Sequence, residues 1–297
     1  MFRPLIFSIL LSILFSCKQS TVVSENSLSE DKPITAFDLI YKKKKSQYFI
    51  SAHRGGKGYM GYPENCLETI SFLLNEGVQA FEIDLSATKD GEIILLHDDH
   101  LNRTTTGTGS VQDFTYKELE KIRLVDDYKK TTPFRIPLLK DVLQLAKKEG
   151  AILMLDFKKT VAYEIVIDLI KKMEVEKNVV LISYNQNQAE KLHKLAPEMM
   201  LSVSIRNYKE YERHLEKGIP TSKMIAFVGV HEPKKEHYDF LHQKGIMTIL
   251  GTLGNLDKRA ANRGNQIYKQ FFQNGADILS SDRPVEAQKA LLELSLN

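Results

Sequence analysis

The sequence predicts an α/β fold: a TIM-type (β/α)8 barrel, irregular around its second and third strands, with a small insertion after the third. Three observations predict it. From residue 136 onward, short apolar runs alternate with helical patterns of about 10–15 residues, the mark of βα units on a parallel sheet. Chemistry-bearing side chains stand where apolar runs end: Tyr48, Phe49 and Ile50 lead into His53 and Arg54, the run 78–81 into Glu82 and Asp84, and the run 93–96 into His97 and Asp98. Barrels of this kind collect such residues at the C-terminal ends of several strands. Finally, 297 residues that are 42% hydrophobic and 27% charged hold one barrel-sized domain behind a leader. A flat doubly wound sheet is the competing arrangement, and polar groups on so many strand ends favour closure.

Residues 1–17 read as a targeting segment, with Arg3 ahead of an apolar stretch over 5–15. That stretch is too short to cross a bilayer, which takes about 20 apolar residues. Its end, Leu14-Phe15-Ser16-Cys17, resembles a bacterial lipobox, in which the cysteine is lipidated and begins the mature chain. The expected location is therefore the bacterial cell envelope, lipid-anchored at Cys17 on the periplasmic or outer-membrane side, with plain secretion as the alternative. Residues 18–47 are polar and rich in Ser, Thr and Lys and read as a flexible tether. Within it, the run 42–45 is a solvated basic stretch that could touch anionic lipid. The barrel domain is then 48–297, with the insertion at about 100–136.

A net charge of +3 and the lack of a basic stripe interleaved with aromatics argue against a nucleic-acid partner. Beyond Cys17 the chain holds only Cys66, which excludes an intramolecular disulfide in the mature protein. Cys66 opens a helical pattern through Leu67, Ile70, Leu73 and Leu74 and reads as a packing residue rather than a nucleophile.

The next strand carries the densest chemistry. Residues i and i+2 of a strand share a face, so Glu82 and Asp84 point one way and Phe81 and Ile83 the other. Two carboxylates that close raise each other's pKa unless a cation lies between them, and oxygen donors suit Ca2+ or Mg2+. The following turn, Lys89-Asp90-Gly91, leaves no room for a crossover helix, although parallel neighbours normally need a dozen or more residues between them. Nine strand candidates then compete for eight places. Residues 100–136 contain a Thr/Gly-rich turn at 104–109 and one short amphipathic helix at 116–124, and a connection this long is usually functional.

Regular alternation follows. Helices are expected from 137–139 to about 149 and over 162–173, 186–195, 208–217, 234–244, 260–274 and 285–294. Strands are expected over 151–156, 178–182, 200–204, 223–227, 246–250 and 277–280. The first of these strands ends in Asp156, with Lys158 two residues on and on the same face. His100, His193, His214, His237 and His242 read as surface or packing residues, whereas His231 follows a strand and could reach the mouth.

The motifs H-R-G at 53–55, P-E-N at 63–65, E-x-D at 82–84, and H-D at 97–98 followed by L-x-R-T-T-x-G-T-G at 101–109 resemble the glycerophosphodiester phosphodiesterase family. The similarity runs from about Ser51 to Pro284. It implies metal-dependent hydrolysis of glycerophosphodiesters to glycerol phosphate and an alcohol. His53 and His97 match the catalytic pair, Glu82 and Asp84 two ligands of one divalent cation, and Asp156 with Lys158 the third ligand and a phosphate-binding lysine. The family and the related phosphatidylinositol-specific phospholipases are thought to use an adjacent substrate hydroxyl as nucleophile, through a cyclic phosphate. On that analogy His53 is the base and His97 the acid, or the reverse. Glu64 and Asn65 match the E-N pair, Glu64 as a positioning group near metal or substrate and Asn65 as a helix N-cap or a donor behind the ligands. The insertion is implied to cover the substrate mouth.

The residue chemistry agrees with these roles. A phosphodiester needs its charge neutralised, a base for the attacking hydroxyl and an acid for the leaving alkoxide. Three carboxylates can hold a cation, Arg54 can meet phosphate with a fork and Lys158 with a point charge, and histidines titrate near neutrality. Three departures from the family pattern stand out: Asp156 where Glu is usual, Cys66 where Thr is usual, and Leu250-Gly251-Thr252-Leu253-Gly254-Asn255 where Trp-Thr-Val-Asn is common. This chain has no tryptophan. The glycines there let the backbone approach a ligand, so Asn255, with Thr252, is expected to hydrogen-bond a polyol end of the substrate. Competing functions are a phospholipase of C or D type acting on intact phospholipids, and a non-catalytic surface binding protein, which the intact histidine pair and acidic positions argue against. The expected partners are a small phosphodiester and, through the lipid anchor, the membrane; no obligate protein partner is inferred.

Overall fold

The computed structural model describes residues 48–295, so the leader, Cys17 and the tether lie outside the described residues. Its strands are β1 (Phe49–Ala52), β2 (Ala80–Ala87), β3 (Ile93–Leu95), β4 (Ile152–Phe157), β5 (Val179–Ser183), β6 (Met200–Ser204), β7 (Met224–Phe227), β8 (Met247–Gly251) and β9 (Ile278–Ser281). Strand β1 pairs in parallel with both β2 and β9, and this double pairing closes the sheet into an eight-stranded parallel barrel.

The surplus strand is β3. It runs antiparallel to β2, with Leu85 opposite Leu95 and Ala87 opposite Ile93, and takes no place in the barrel wall. His97 therefore follows a hairpin strand rather than the end of a parallel one. Strand β2 overshoots, turns at 88–92, and β3 carries the chain back until Leu96 N–H donates to Asp84 O at 3.0 Å. That return sets His97 beside the carboxylates of β2.

Strand alternation divides the apolar residues into two layers. Phe49, Ala80, Ile152, Met154, Val180 and Met200 point inward and, with their counterparts on β7–β9, fill the barrel floor. Phe81, Ile83, Leu153, Leu155 and Leu181 point outward into the larger core beneath the helices. Against them pack Ile70 and Leu73 of α1 (Leu67–Asn75), whereas the insertion keeps its own cluster. There Leu101, Val111, Leu119 and Leu124 close on Ile94, Leu96 and Cys66. Its helix α2 (Tyr116–Leu119) is a single turn, opened by a Thr115/Glu118 capping box. The expected extension to 124 fails because Leu124 is drawn into that cluster through a bridge with Thr105.

The remaining helices are α3 (Leu139–Glu149), α4 (Tyr163–Met173), α5 (Gln186–Leu195), α6 (Tyr208–Glu216), α7 (Lys235–Gln243), α8 (Asn255–Arg263), α9 (Gln266–Asn274) and α10 (Pro284–Ser295). Most match expectation to within about a residue or two at their ends. The exception is 260–274, which is two helices. They are separated at Gly264, whose φ of +103° a helix cannot continue through, and the first begins at Asn255.

Candidate active site

Glu82 and Asp84 leave β2 on the barrel's inner face, and Asp156 lies opposite Asp84 in the β2–β4 register. One oxygen from each of the three carboxylates lies within 4.8 Å of the others. Asp84 and Asp156 are buried, and Asp156 Oδ1 has no hydrogen-bond partner among the described residues. A buried acceptor left unmatched is costly, and three converging oxygen donors with one spare suit a hard divalent cation. Burial and then Asp84 push the Glu82 carboxyl well above the ordinary carboxylate range, against the Arg54 N–H that donates to Glu82 Oε2 at 2.8 Å. For Asp84, burial acts upward too, but Lys158 and Asn65 outweigh it and hold this carboxyl low. Lys158 Nζ lies 2.7 Å from Asp84 Oδ1 and 2.8 Å from Asp156 Oδ2.

Asn65 stands behind the acidic trio as a donor. Its Nδ2 donates to Asp84 Oδ2 at 2.7 Å while its Oδ1 accepts from Asp84 N–H at 3.0 Å. It does not cap α1; Cys66 occupies the N-cap position. Both Arg54 (φ +56°) and Asn65 (φ +50°) hold left-handed backbone that non-glycine residues seldom adopt, and each thereby aims an amide or a side chain at a carboxylate.

Each predicted histidine has a carboxylate on Nδ1. His53 Nδ1 and Asp282 Oδ1 are 2.7 Å apart, and His53 Nε2 stands 3.9 Å from Glu82 Oε2. His97 Nδ1 and Asp98 Oδ1 are 2.6 Å apart, and Arg54 Nη2 donates to His97 Nε2 at 2.9 Å. An arginine only donates, so His97 accepts at Nε2 and its Nδ1–H donates to Asp98 Oδ1. In both rings Nε2 is the nitrogen turned away from the orienting carboxylate.

Arg54 is expected on phosphate, but its guanidinium stands beside His97 and on Glu64, and it does not line the main pocket. Glu64 touches neither the acidic trio nor the pocket. Buried, it accepts from Arg54 Nη1 at 3.2 Å and from Arg103 at 2.7 and 2.9 Å. Burial would raise its carboxyl, but Arg103 and Arg54 hold it below the usual range.

The main pocket has a volume of about 340 Å³ and two unlike sides. His53, His97, the acidic trio and Lys158 form one; Ile182, Phe227, Val230, Ile249 and Leu253 form the apolar other, with serine hydroxyls from 183, 202, 204 and 280 between them. No residue of 100–136 lines it, so the insertion stands beside the pocket and does not cover it. Asn255 is likewise outside: it is exposed, the first residue of α8. Thr252 is buried and donates to Ser280 O at 3.1 Å, which ties β8 to β9. Gly251 serves the wall rather than the ligand, because a Cβ there would meet Val230 at 3.0 Å and Phe227 at 3.1 Å. His231 is exposed and off the pocket. His214, His237 and His242 hold structural partners: Ser204 O, Ile205 O and Asp277.

Four site residues were given no role from the sequence. Asp98 stands beside His97, Asp282 just past the last apolar run, and Arg103 inside the L-x-R-T-T-x-G-T-G motif, whereas Tyr184 carried no such sign. Tyr184 is exposed and lines the pocket.

The comparisons bear on this site directly. The profile of the glycerophosphoryl diester phosphodiesterase family matches residues 53–248, which include both histidines, the acidic trio, Lys158 and Arg103. A glycerophosphodiester phosphodiesterase of Bacillus altitudinis is 34% identical over 161 residues, which cover 52% of this chain and 65% of that enzyme's length. The uncharacterized protein YqiK of Bacillus subtilis is 32% identical over 82% of this chain and 98% of its own. A crystal structure of a glycerophosphoryl diester phosphodiesterase from Parabacteroides distasonis superposes with a TM-score of 0.81 at 35% identity, covering 88% of this chain and 93% of that one. Because the matched stretch spans most of the barrel and carries the pocket's charged side, the chain belongs to the glycerophosphoryl diester phosphodiesterase family.

Proposed function

We propose that the chain hydrolyses glycerophosphodiesters to glycerol phosphate and an alcohol, using a divalent cation, Ca2+ or Mg2+, held by Glu82, Asp84 and Asp156. One observation carries this reading: a carboxylate trio with a spare buried acceptor shares a pocket with two histidines, each oriented by a carboxylate on Nδ1. When bound, the cation supplies charge to phosphate oxygens. Lys158 adds positive charge from beside Asp84 and Asp156, and Arg54 from beside His97. One histidine takes the proton of the attacking substrate hydroxyl at Nε2 and the other gives an Nε2 proton to the departing alkoxide; water then opens the cyclic phosphate with the two roles reversed. Asp282 and Asp98 keep the rings turned for that exchange, as the buried aspartate does in a serine-protease triad.

A second reading, hydrolysis of a phospholipid that keeps an acyl chain, is favoured by the apolar wall of Phe227, Val230, Ile249 and Leu253. One experiment serves both. Purified protein is given a panel of glycerophosphodiesters and acylated phospholipids with Ca2+, Mg2+ or EDTA, and release of glycerol phosphate from the former and of acylated glycerol phosphate, acylglycerol or free headgroup from the latter is followed. Metal-dependent release from the deacylated diesters is expected; turnover of none of them rejects the first reading.

Anchoring at Cys17 belongs to the same proposal and is supported by the Leu14–Cys17 segment alone. Lipid labelling that persists in Cys17→Ser would exclude it.

A further inference from the structure

Arg103 comes from the insertion, lines no part of the pocket, and closes a ring of five side chains. Its Nε and Nη2 donate to Asp98 Oδ2 and Oδ1 at 2.6 and 2.9 Å, and its Nη1 and Nη2 donate to Glu64 Oε2 and Oε1 at 2.9 and 2.7 Å. One guanidinium thus forks two carboxylates, a task for which its rigid planar donors are suited and a lysine's point charge is not. Each carboxylate passes the constraint on. Asp98 Oδ1 accepts from His97 Nδ1, and Glu64 accepts from Arg54, whose Nη2 donates to His97 Nε2. Both nitrogens of the His97 ring are therefore held by chains that start at Arg103.

We infer that Arg103 is a positioning residue that fixes the orientation and the Nδ1–H tautomer of His97 from the insertion, through Asp98 on one side and Glu64–Arg54 on the other. This gives residues 100–136 a part in the chemistry in place of a cover over the mouth. The segment is built to hold a side chain still. Leu101, Thr104 and Thr105 around Arg103 are buried, and Thr105 Oγ1 donates to Leu101 O at 2.6 Å. Leu101 itself is part of the insertion's apolar cluster with Val111, Leu119 and Leu124. Without Arg103, Glu64 would keep one cationic partner instead of two and draw Arg54 toward itself. Asp98 would be free to rotate off Nδ1. The ring would then have neither partner in place, and the Nε2–H tautomer usual in water would compete.

The inference rests on His97 being a proton-transfer group, so one of its tests is independent of activity. Nitrogen-15 NMR of the His97 ring, assigned by its loss in His97→Ala, should show the proton on Nδ1 in the parent. In Arg103→Ala it should show a mixture with Nε2–H. On glycerophosphocholine, Arg103→Lys should lower kcat/KM by about tenfold or more with a melting temperature near the parent's. Arg103→Ala should lose about a hundredfold and recover in part on addition of ethylguanidinium. Should Arg103→Ala fold poorly, Arg103→Lys carries both the NMR and the kinetic test. A parental tautomer in the Arg103 variants, or Arg103→Lys activity within about twofold of the parent, overturns the inference and leaves Arg103 as an anchor of the insertion. If no variant or parent hydrolyses the diester while the tautomer still shifts, it is the proposed reaction that fails and the positioning that stands.

Discussion

His53 and Asp282 meet at 2.7 Å across 229 residues of sequence, at the seam where β1 pairs with β9 and the barrel closes. Closure and the candidate site are thereby tied: the strand pairing that completes the wall also brings the Asp282 carboxylate onto His53 Nδ1. Asp282→Asn should lower kcat by about a hundredfold or more, because an amide can donate to Nδ1 and stabilise the other tautomer. A stability signature accompanies it. Burial acts to raise the Asp282 carboxyl, but His53 and Lys57 outweigh it and hold it below the usual range. A carboxyl lowered on folding contributes stability above its unfolded value, near pH 4, and loses it as pH falls through the folded value. Parent and Asp282→Asn melting curves should thus differ most above about pH 4 and converge in acid. A gap that widens in acid would contradict this.

The two histidines should be separable by leaving group. His53→Ala and His97→Ala should each cost about a hundredfold or more in kcat on glycerophosphocholine, with little change in melting temperature. On an aryl phosphodiester with an acidic phenol, the variant lacking the general acid should recover most of its deficit, since such a leaving group needs no proton. Equal losses on both substrates for both variants would deny the acid role to either ring.

Metal dependence follows from the orphaned Asp156 Oδ1 and the crowding of three carboxylates. Glu82→Gln, Asp84→Asn and Asp156→Asn should each raise the cation concentration needed for half-activation, read by titration calorimetry as well as by rate. Full activity in EDTA after exhaustive dialysis would rule out the cation.

What could be read from sequence had local causes. Glu82 and Asp84 were legible because strand alternation alone puts them on one face, and Asp156 as the carboxylate that ends the next barrel strand, which the β2–β4 register brings opposite Asp84. The direction of β3 was not, since a three-residue apolar run reads the same in either sense and only its pairing with Leu85–Ala87 decides. Arg54 and Glu64 were recognised as site residues, but their partners depend on Arg103, and nothing local marks a residue of the insertion as their neighbour. Asn255 was misplaced because α8 starts after Gly254 without a side-chain cap, so the usual signal of a helix start was missing.

Cys66 should be inert. Burial, then Glu68, push its thiol up to about 12, and its Sγ donates to Glu68 Oε2 at 3.0 Å. The thiolate is the reactive form, so iodoacetamide at pH 8 should leave Cys66 unmodified in the folded protein and label it on unfolding, as read by peptide mass mapping. Rapid labelling of the native protein would show the α1 start to be open.

The alcohol end of the substrate should be read by Leu253 and not by Asn255. Leu253 lines the pocket on the apolar wall with Phe227, Val230 and Ile249, two residues before Asn255, which begins α8 in solvent. The side chain that faces the ligand from this loop is therefore a hydrocarbon. Leu253→Ala removes apolar contact, at most a part of a buried leucine's contribution, so a loss of roughly 1 kcal/mol, or about fivefold in kcat/KM, is expected. The loss should grow with the apolar size of the group that rests on the wall, and a single-chain phospholipid should suffer more than glycerophosphocholine. Asn255→Ala should stay within about twofold of the parent on every substrate. If Asn255→Ala instead costs tenfold and Leu253→Ala nothing, the substrate leaves the pocket by the polar start of α8, and the wall of Phe227 and Val230 is only barrel packing.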